Sequence, residues 1–245
     1  MIGAPLLLGL LVAPSPAGGW VALGALGMFL ARQPLKIAGK DLVQGKRFPR
    51  TRWAFGFGVG LLCVALGALA FAVAGSSKPL WRSLLVLGVL SCIQFGHDVM
   101  GRGRSAVPEV AGACAAATFA PLIALAGGVW EREAWLLGAV LALHALLAVV
   151  YVSSRLALVR GGSPSVPAVW VLAAGATALA AAMVALGWAR WPLLAAFAVL
   201  AGRALWGVSR WRAEVRPQVV GFQETGYALG LVLSTALFAG IASSA

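Results

Sequence analysis

Charged residues cut this chain into apolar runs of about twenty residues, and that spacing constrains the fold more than any other feature of the sequence. A helix crossing a hydrocarbon layer needs roughly 20 apolar residues, and a backbone in lipid must satisfy its own N–H and C=O groups, which a helix does internally. Nine runs fit: Ile2–Pro14, Gly18–Ala31, Trp53–Ala74, Ser83–Phe95, Val107–Gly128, Ala134–Val152, Val166–Gly187, Pro192–Gly207 and Val220–Ile241. They predict an all-α, polytopic membrane helix bundle of about nine transmembrane helices. The first, second and fourth runs are short, and polar flanks that snorkel to the interface extend them. No Lys or Arg precedes Arg32, so the first run lacks the positive start of a secretory signal. No low-complexity linker or clean short repeat interrupts the pattern, so residues 1–245 read as a single integral-membrane domain.

Composition agrees: 61% of the residues are hydrophobic and 11% are charged, against roughly 25% charged in soluble domains. The charges are also lopsided, with 19 Lys and Arg against 7 Asp and Glu, a net +12. A basic protein that grips nucleic acid needs a basic patch on a water-soluble fold, and no long soluble segment exists here. The expected anionic partners are membrane lipids and the charged membrane surface. Sorted by the nine runs, fifteen of the 19 cations fall in the loops after the second, fourth, sixth and eighth runs, and only Lys78, Arg82, Arg132 and Arg190 lie opposite. Positive loops stay inside, which predicts an inner N-terminus.

Cys63, Cys92 and Cys114 lie within runs without metal-ligand spacing and read as small core residues. The glycines of Gly56-Phe-Gly-Val-Gly60 recur along one face and suit close helix approach.

The candidate site residues gather at the inner ends of the runs. The longest polar connection, Arg32 to Arg52, holds Arg32, Lys36, Lys40, Lys46, Arg47, Arg50 and Arg52 against Asp41. Pro34 is placed to end or kink the preceding helix, and Ile37, Leu42 and Val43 suit a short interfacial helix. The plain reading is a positive-inside anchor on anionic lipid. The sharper one is that some cations turn inward to bind phosphate oxygens, for which Arg forks are well shaped. Asp98 and Glu109 flank the next inner connection, with Arg102 and Arg104 between them. Carboxylates at membrane depth face a bundle interior or a cavity, which makes both candidates; ion pairing with Arg102, Arg104 or another inner-loop Arg is the competing account. His97 reads as a satisfied interfacial residue. Tyr151 and Arg155 share a helix face one turn apart. Glu224, inside the last run, needs a proton or a cation, with Arg216 or Arg203 as candidates. His144, alone in its layer, reads as packed against a polar neighbour. Trp206 and Trp211 read as head-group-level aromatics.

The run Arg32-x-Pro-Leu, Asp41 and Gly45-Lys-Arg-Phe-Pro-Arg-Thr-Arg-Trp53 resembles the YwiC-like family of bacterial membrane proteins. So do Arg104-Ser105 with Glu109 and Gly112, Leu125-Ala-Gly-Gly128, Tyr151-Val-x-x-Arg155 and Arg216-Pro-x-x-x-Gly-x-x-Glu224. The resemblance implies a bacterial plasma membrane. Such proteins commonly begin with a His-Gly-Ala-Trp stretch, which is absent here, so a truncated first span or a misassigned start is expected. The layout is also similar to the UbiA prenyltransferase superfamily, whose nine helices carry Asp-rich magnesium motifs on two inner loops. Here the first such loop keeps only Asp41, and the second reads Tyr151-Val-Ser-Ser-Arg155 where Tyr-x-x-x-Asp is expected. Hard cations prefer carboxylates, so no metal site is assigned and the cofactor stays undetermined.

Two functions remain open. In the first, the protein binds or transfers a lipid with an anionic, phosphorylated, prenyl or phospholipid head. Arg32, Lys40, Arg47, Arg50, Arg104, Arg155 and Arg216 would hold the anion, and Asp41, Asp98, Glu109 and Glu224 would supply acid–base chemistry. In the second, the protein is non-catalytic, a transporter or a respiratory-complex assembly factor, and its basic loops only set topology. An anion transporter is disfavoured by the lack of an inverted pair of interrupted helices. Convergence of Arg32, Asp41, Arg155 and Glu224 on one cavity would favour the first.

Overall fold

The computed structural model describes residues 2–46, 48–101, 103, 105–160, 162–163, 165–209 and 217–239. These are all-α: α1 Gly3–Val12, α2 Pro16–Val43, α3 Pro49–Gly75, α4 Trp81–Val99, α5 Ala106–Ala117, α6 Phe119–Ala126, α7 Glu131–Val159, α8 Val166–Ala185, α9 Trp191–Val208 and α10 Pro217–Ala239. The helices fall at the nine apolar runs, and α5 and α6 together make the single span Ala106–Ala126. Their junction is Thr118, whose hydroxyl donates back to the Cys114 carbonyl at 2.9 Å. Pro121, one turn on, has no N–H to continue the ladder. Among the described residues, five spans are both long and apolar enough to cross a membrane: Pro49–Gly75, Ala106–Ala126, Glu131–Val159, Val166–Ala185 and Trp191–Val208. The chain is a polytopic helical membrane protein. It divides into two compact units, residues 1–139 and 140–245.

In the first unit, the polar connection expected from Arg32 to Arg52 is mostly helix. Ser15 caps α2 by accepting from the Gly18 N–H at 2.9 Å, and Pro16 occupies the first turn. The helix then runs through Pro34 to Val43, so Pro34 does not end it. At about 1.5 Å per residue its 28 residues extend roughly 42 Å, beyond a hydrocarbon layer of about 30 Å. The continuation is held by Arg32 and Lys36, which flank Pro34 and are both anchored on α4, as described below. Ile37, Leu42 and Val43 are exposed on this extension, which is continuous with α2 instead of forming a separate helix.

Helices α2 and α3 pack closely where α2 has no side chain. A β-carbon on Gly24 would lie 2.9 Å from Leu69 Cγ and 3.1 Å from the Ala65 carbonyl oxygen, and one on Gly27 would lie 3.0 Å from Ala65 Cβ. In the Gly56–Gly60 run only Gly58 meets a neighbour, Leu35; Gly56 and Gly60 face open space. Those glycines alternate in sequence, and a helix turns alternate residues to different faces. Every residue of α6 is buried, and α1 comes against it with Gly9 on Ile123. By contrast α3 presents Trp53, Phe55, Phe57 and Phe71 outward, with Trp53 82% exposed. An apolar face of this kind suits lipid as its solvent. Cys63 and Cys92 lie on exposed faces and Cys114 is half-buried, so none of the three fills the core as expected; the buried small positions are taken by Ala65, Ala68 and Ala72 instead.

In the second unit, α8 buries Val169, Ala173, Ala176 and Ala180 along one stripe at helical spacing, and α9 buries Phe197, Leu200, Ala201 and Ala204. The tight turn between α8 and α9 uses Gly187 at φ +70, a conformation that favours glycine.

Candidate lipid groove and buried ion pairs

In the first unit, Arg32 and Lys36 stand one turn apart on α2, and both reach Asp98 in the last turn of α4. Arg32 donates through Nε and Nη2 to Asp98 Oδ2 at 3.0 and 2.8 Å, while Lys36 donates to Oδ1 at 2.8 Å. Asp98 is 0% exposed. Gly103 closes over it, and a β-carbon there would collide with Asp98 Oδ1. Asp98 lies past the apolar part of α4. Burial pushes its carboxyl up, but the bonds from Lys36 and Arg32 outweigh that and hold it below the ordinary 3.8. Of the two accounts of Asp98, this is the ion pair, formed with residues of α2.

Beyond Lys36, the end of α2, the connection and the start of α3 form a groove of about 450 Å³ lined by Ile37, Lys40, Asp41, Gln44, Lys46, Phe48 and Arg50. Asp41 forms its buried wall. Thr51 donates its hydroxyl to Asp41 Oδ2 at 2.8 Å, and Arg50 reaches the two carboxylate oxygens through Nε and Nη2, both at 3.4 Å. The Thr51 bond holds the carboxyl below 3.8, burial opposes it, and Arg50 and Lys46 add to the lowering. The Arg50 guanidinium also rests on the Phe48 ring, 4.8 Å from its centroid. Lys40, Lys46 and Arg50 are exposed, so three cations surround one carboxylate that is already hydrogen-bonded. A basic rim with apolar residues beside it suits an anionic head group whose chains continue into lipid.

Glu109 is exposed in the first turn of α5, where the helix dipole favours a carboxylate. His97 bonds to the Ile93 carbonyl of its own helix through Nδ1 at 2.9 Å. Arg47, Arg104 and Arg216 lie outside the described residues, as do Arg102 and Trp211.

In the second unit, Arg155 is buried on α7 and donates through Nη1 to the Gly207 carbonyl of α9 at 2.8 Å. Glu224 on α10 pairs with Arg203 on α9, the second of the two cations expected for it. The Arg203 guanidinium lies 4.2 Å from the Tyr151 ring centroid and 4.5 Å from that of Tyr227. Trp206 is exposed, as a head-group-level aromatic should be.

The family model of the YwiC-like proteins matches residues 1–124. The chain belongs to the YwiC-like family. No curated protein and no solved structure matches it. The matched stretch covers the groove and the Arg32–Lys36–Asp98 cluster. The Tyr151–Arg155 and Arg216–Glu224 motifs lie beyond it.

The four residues chosen to test convergence are each engaged locally. Arg32 binds Asp98 and not Asp41; Asp41 binds Thr51 and Arg50; Arg155 binds a backbone carbonyl; Glu224 binds Arg203. The groove does not fit the two-magnesium site that the UbiA similarity implies, because among the described residues Asp41 is its only carboxylate and the rest of its charge is cationic. Among the described residues, no three His, Cys, Asp or Glu side chains group as a metal site requires.

Several residues of this YwiC-like protein were not picked out as site residues by sequence. Lys36 carries a signal, its i, i+4 spacing from Arg32 and on to Lys40, which aligns three cations on one helix face. Thr51, Gly207 and Tyr227 carry none, because each matters through a partner on another helix.

Proposed function

We propose that this YwiC-like protein binds a membrane lipid with an anionic, phosphorylated head group at the α2–α3 groove. The observation that carries the reading is the groove itself. Lys40, Lys46 and Arg50 supply donors for phosphate oxygens, Asp41 keeps Arg50 oriented, and Ile37 and Phe48 offer apolar surface to the first carbons of the chains. Arg32 and Lys36 add positive charge along the same face of α2. In this reading Asp41 is the carboxylate that would lie beside a bound head group, while Asp98 serves as counter-ion to Arg32 and Lys36. The distribution of cations supports a groove on the inner side of a bacterial plasma membrane, with the N-terminus inside.

The second reading, a non-catalytic protein whose basic loops set topology, draws support from the prior engagement of Asp98 and Glu224 in ion pairs. Native mass spectrometry with lipids retained separates the two. Purified wild-type protein is compared with the Lys40→Ala/Arg50→Ala double variant. The expected result is a selectively retained phospholipid or prenyl phosphate that falls at least tenfold in the variant. Retention of all anionic lipids alike, unchanged in the variant, would overturn the lipid reading. Substituted cysteines at Lys46 and Lys78, labelled from one side of the membrane, test the orientation.

A further inference from the structure

A second polar site in the second unit joins Arg203, on the apolar span α9, to Glu224 on α10. Glu224 and Arg203 are only 14% and 12% exposed at their side chains, yet they meet through one hydrogen bond, from Nη2 to Oε1. A guanidinium and a carboxylate can form two parallel bonds, and in the first unit both oxygens of Asp98 are engaged, Oδ2 by Arg32 and Oδ1 by Lys36. Here Glu224 Oε2, Arg203 Nε and Arg203 Nη1 are buried without a hydrogen-bond partner among the described residues, and so is Nδ1 of His144, itself 8% exposed. Leaving a carboxylate oxygen unpaired in an apolar interior is costly while it carries charge.

We propose that Glu224 is an intramembrane proton-binding site with Arg203 as its fixed counter-charge. A proton taken from water bonds to the free Oε2 and neutralises the carboxylate. Arg203 keeps its bond to Oε1, which is then a carbonyl oxygen. The cation does not depend on Glu224 for its position, because the Tyr151 and Tyr227 rings hold it through their π faces. The site therefore supports both protonation states without rearranging. Among the described residues, the titratable and charged groups around the pair are His144, Tyr151 and Arg155 on α7 and Tyr227 on α10, while α8 contributes none. His144 is within reach of the Arg203 charge. Such a site suits a process in which proton uptake accompanies movement or binding of another molecule.

Infrared difference spectroscopy of the full chain in lipid nanodiscs, stepped through pH, tests the proposal. A protonated-carboxylic C=O band should rise and fall reversibly with pH in wild type and be absent in Glu224→Gln. Arg203→Lys keeps the charge but changes the donor geometry, and it should move the midpoint of that band by roughly one pH unit. A Glu224 that stays ionised at every pH where the protein is folded, or a band unmoved in Arg203→Lys, would overturn it. Neither variant touches the groove, so this proposal and the lipid reading fail separately.

Discussion

Tyr151 on α7 and Gly207 on α9 share one small volume: a β-carbon at position 207 would collide with the Tyr151 hydroxyl. The same glycine offers its carbonyl to Arg155, one helical turn beyond Tyr151, at 2.8 Å. Its missing side chain thus sets the distance between α7 and α9, and with it the place of the Tyr151 ring beneath Arg203.

Gly207→Ala is therefore expected to destabilise the second unit by about 1–3 kcal/mol, the usual cost of overpacking. A β-carbon on Gly202, on the same helix, would meet nothing within 4 Å, so Gly202→Ala should be neutral or slightly stabilising through helix propensity. Thermal unfolding of the two variants in the same detergent checks the contrast. Equal midpoints would show that α7 and α9 are not held at this distance.

Asp98→Asn removes the charge that Arg32 and Lys36 share. The two cations are partly exposed and can turn to water, which limits the loss to about 2 kcal/mol. A thermal midpoint unchanged from wild type would show that the cluster does not hold α2 to α4.

Both Asp98 and Asp41 are held below the ordinary 3.8 in the folded protein. A lowered folded-state value means that folding favours the ionised form. The stabilisation is fully present above the unfolded value and is lost as pH falls through the lower folded values. Stability should thus be flat through neutral and mildly acid pH and fall below about 3.8, and Asp98→Asn should reduce that acid-side slope. Acid titrations of the thermal midpoint for wild type and variant make the measurement.

Cys63 on α3 and Cys92 on α4 lie on exposed faces of apolar helices. A fluorophore attached at either position in nanodiscs should be quenched by lipids brominated along their chains. The same label on Lys78→Cys, in the connection after α3, should not be. Equal quenching at the three positions would contradict the lipid-facing assignment.

The helices were legible in the sequence to within a few residues in the apolar stretches, and illegible where they extend into charged ones. α2 reaches Val43 and α7 reaches Val159, well past the ends of their apolar runs, because a helix needs no apolar side chains once it leaves the lipid. Glu224 and its need for a cation could be read from one buried acid in an apolar run. Arg203 was one of two cations the sequence offered for it; that two tyrosine rings would hold Arg203 could not be read.

The sequence by itself determined that this chain is a multi-spanning helical protein, because lipid demands backbone hydrogen bonds made within each segment and apolar side chains over a set length, and both are local properties. Tertiary structure alone decided which charges meet. Asp98 lies a few residues from Arg102 and Arg104, yet it is held by Arg32 and Lys36, 66 and 62 residues away. Helix packing brings α2 and α4 side by side at that depth, and in an apolar surround a carboxylate binds the cations that packing presents to it.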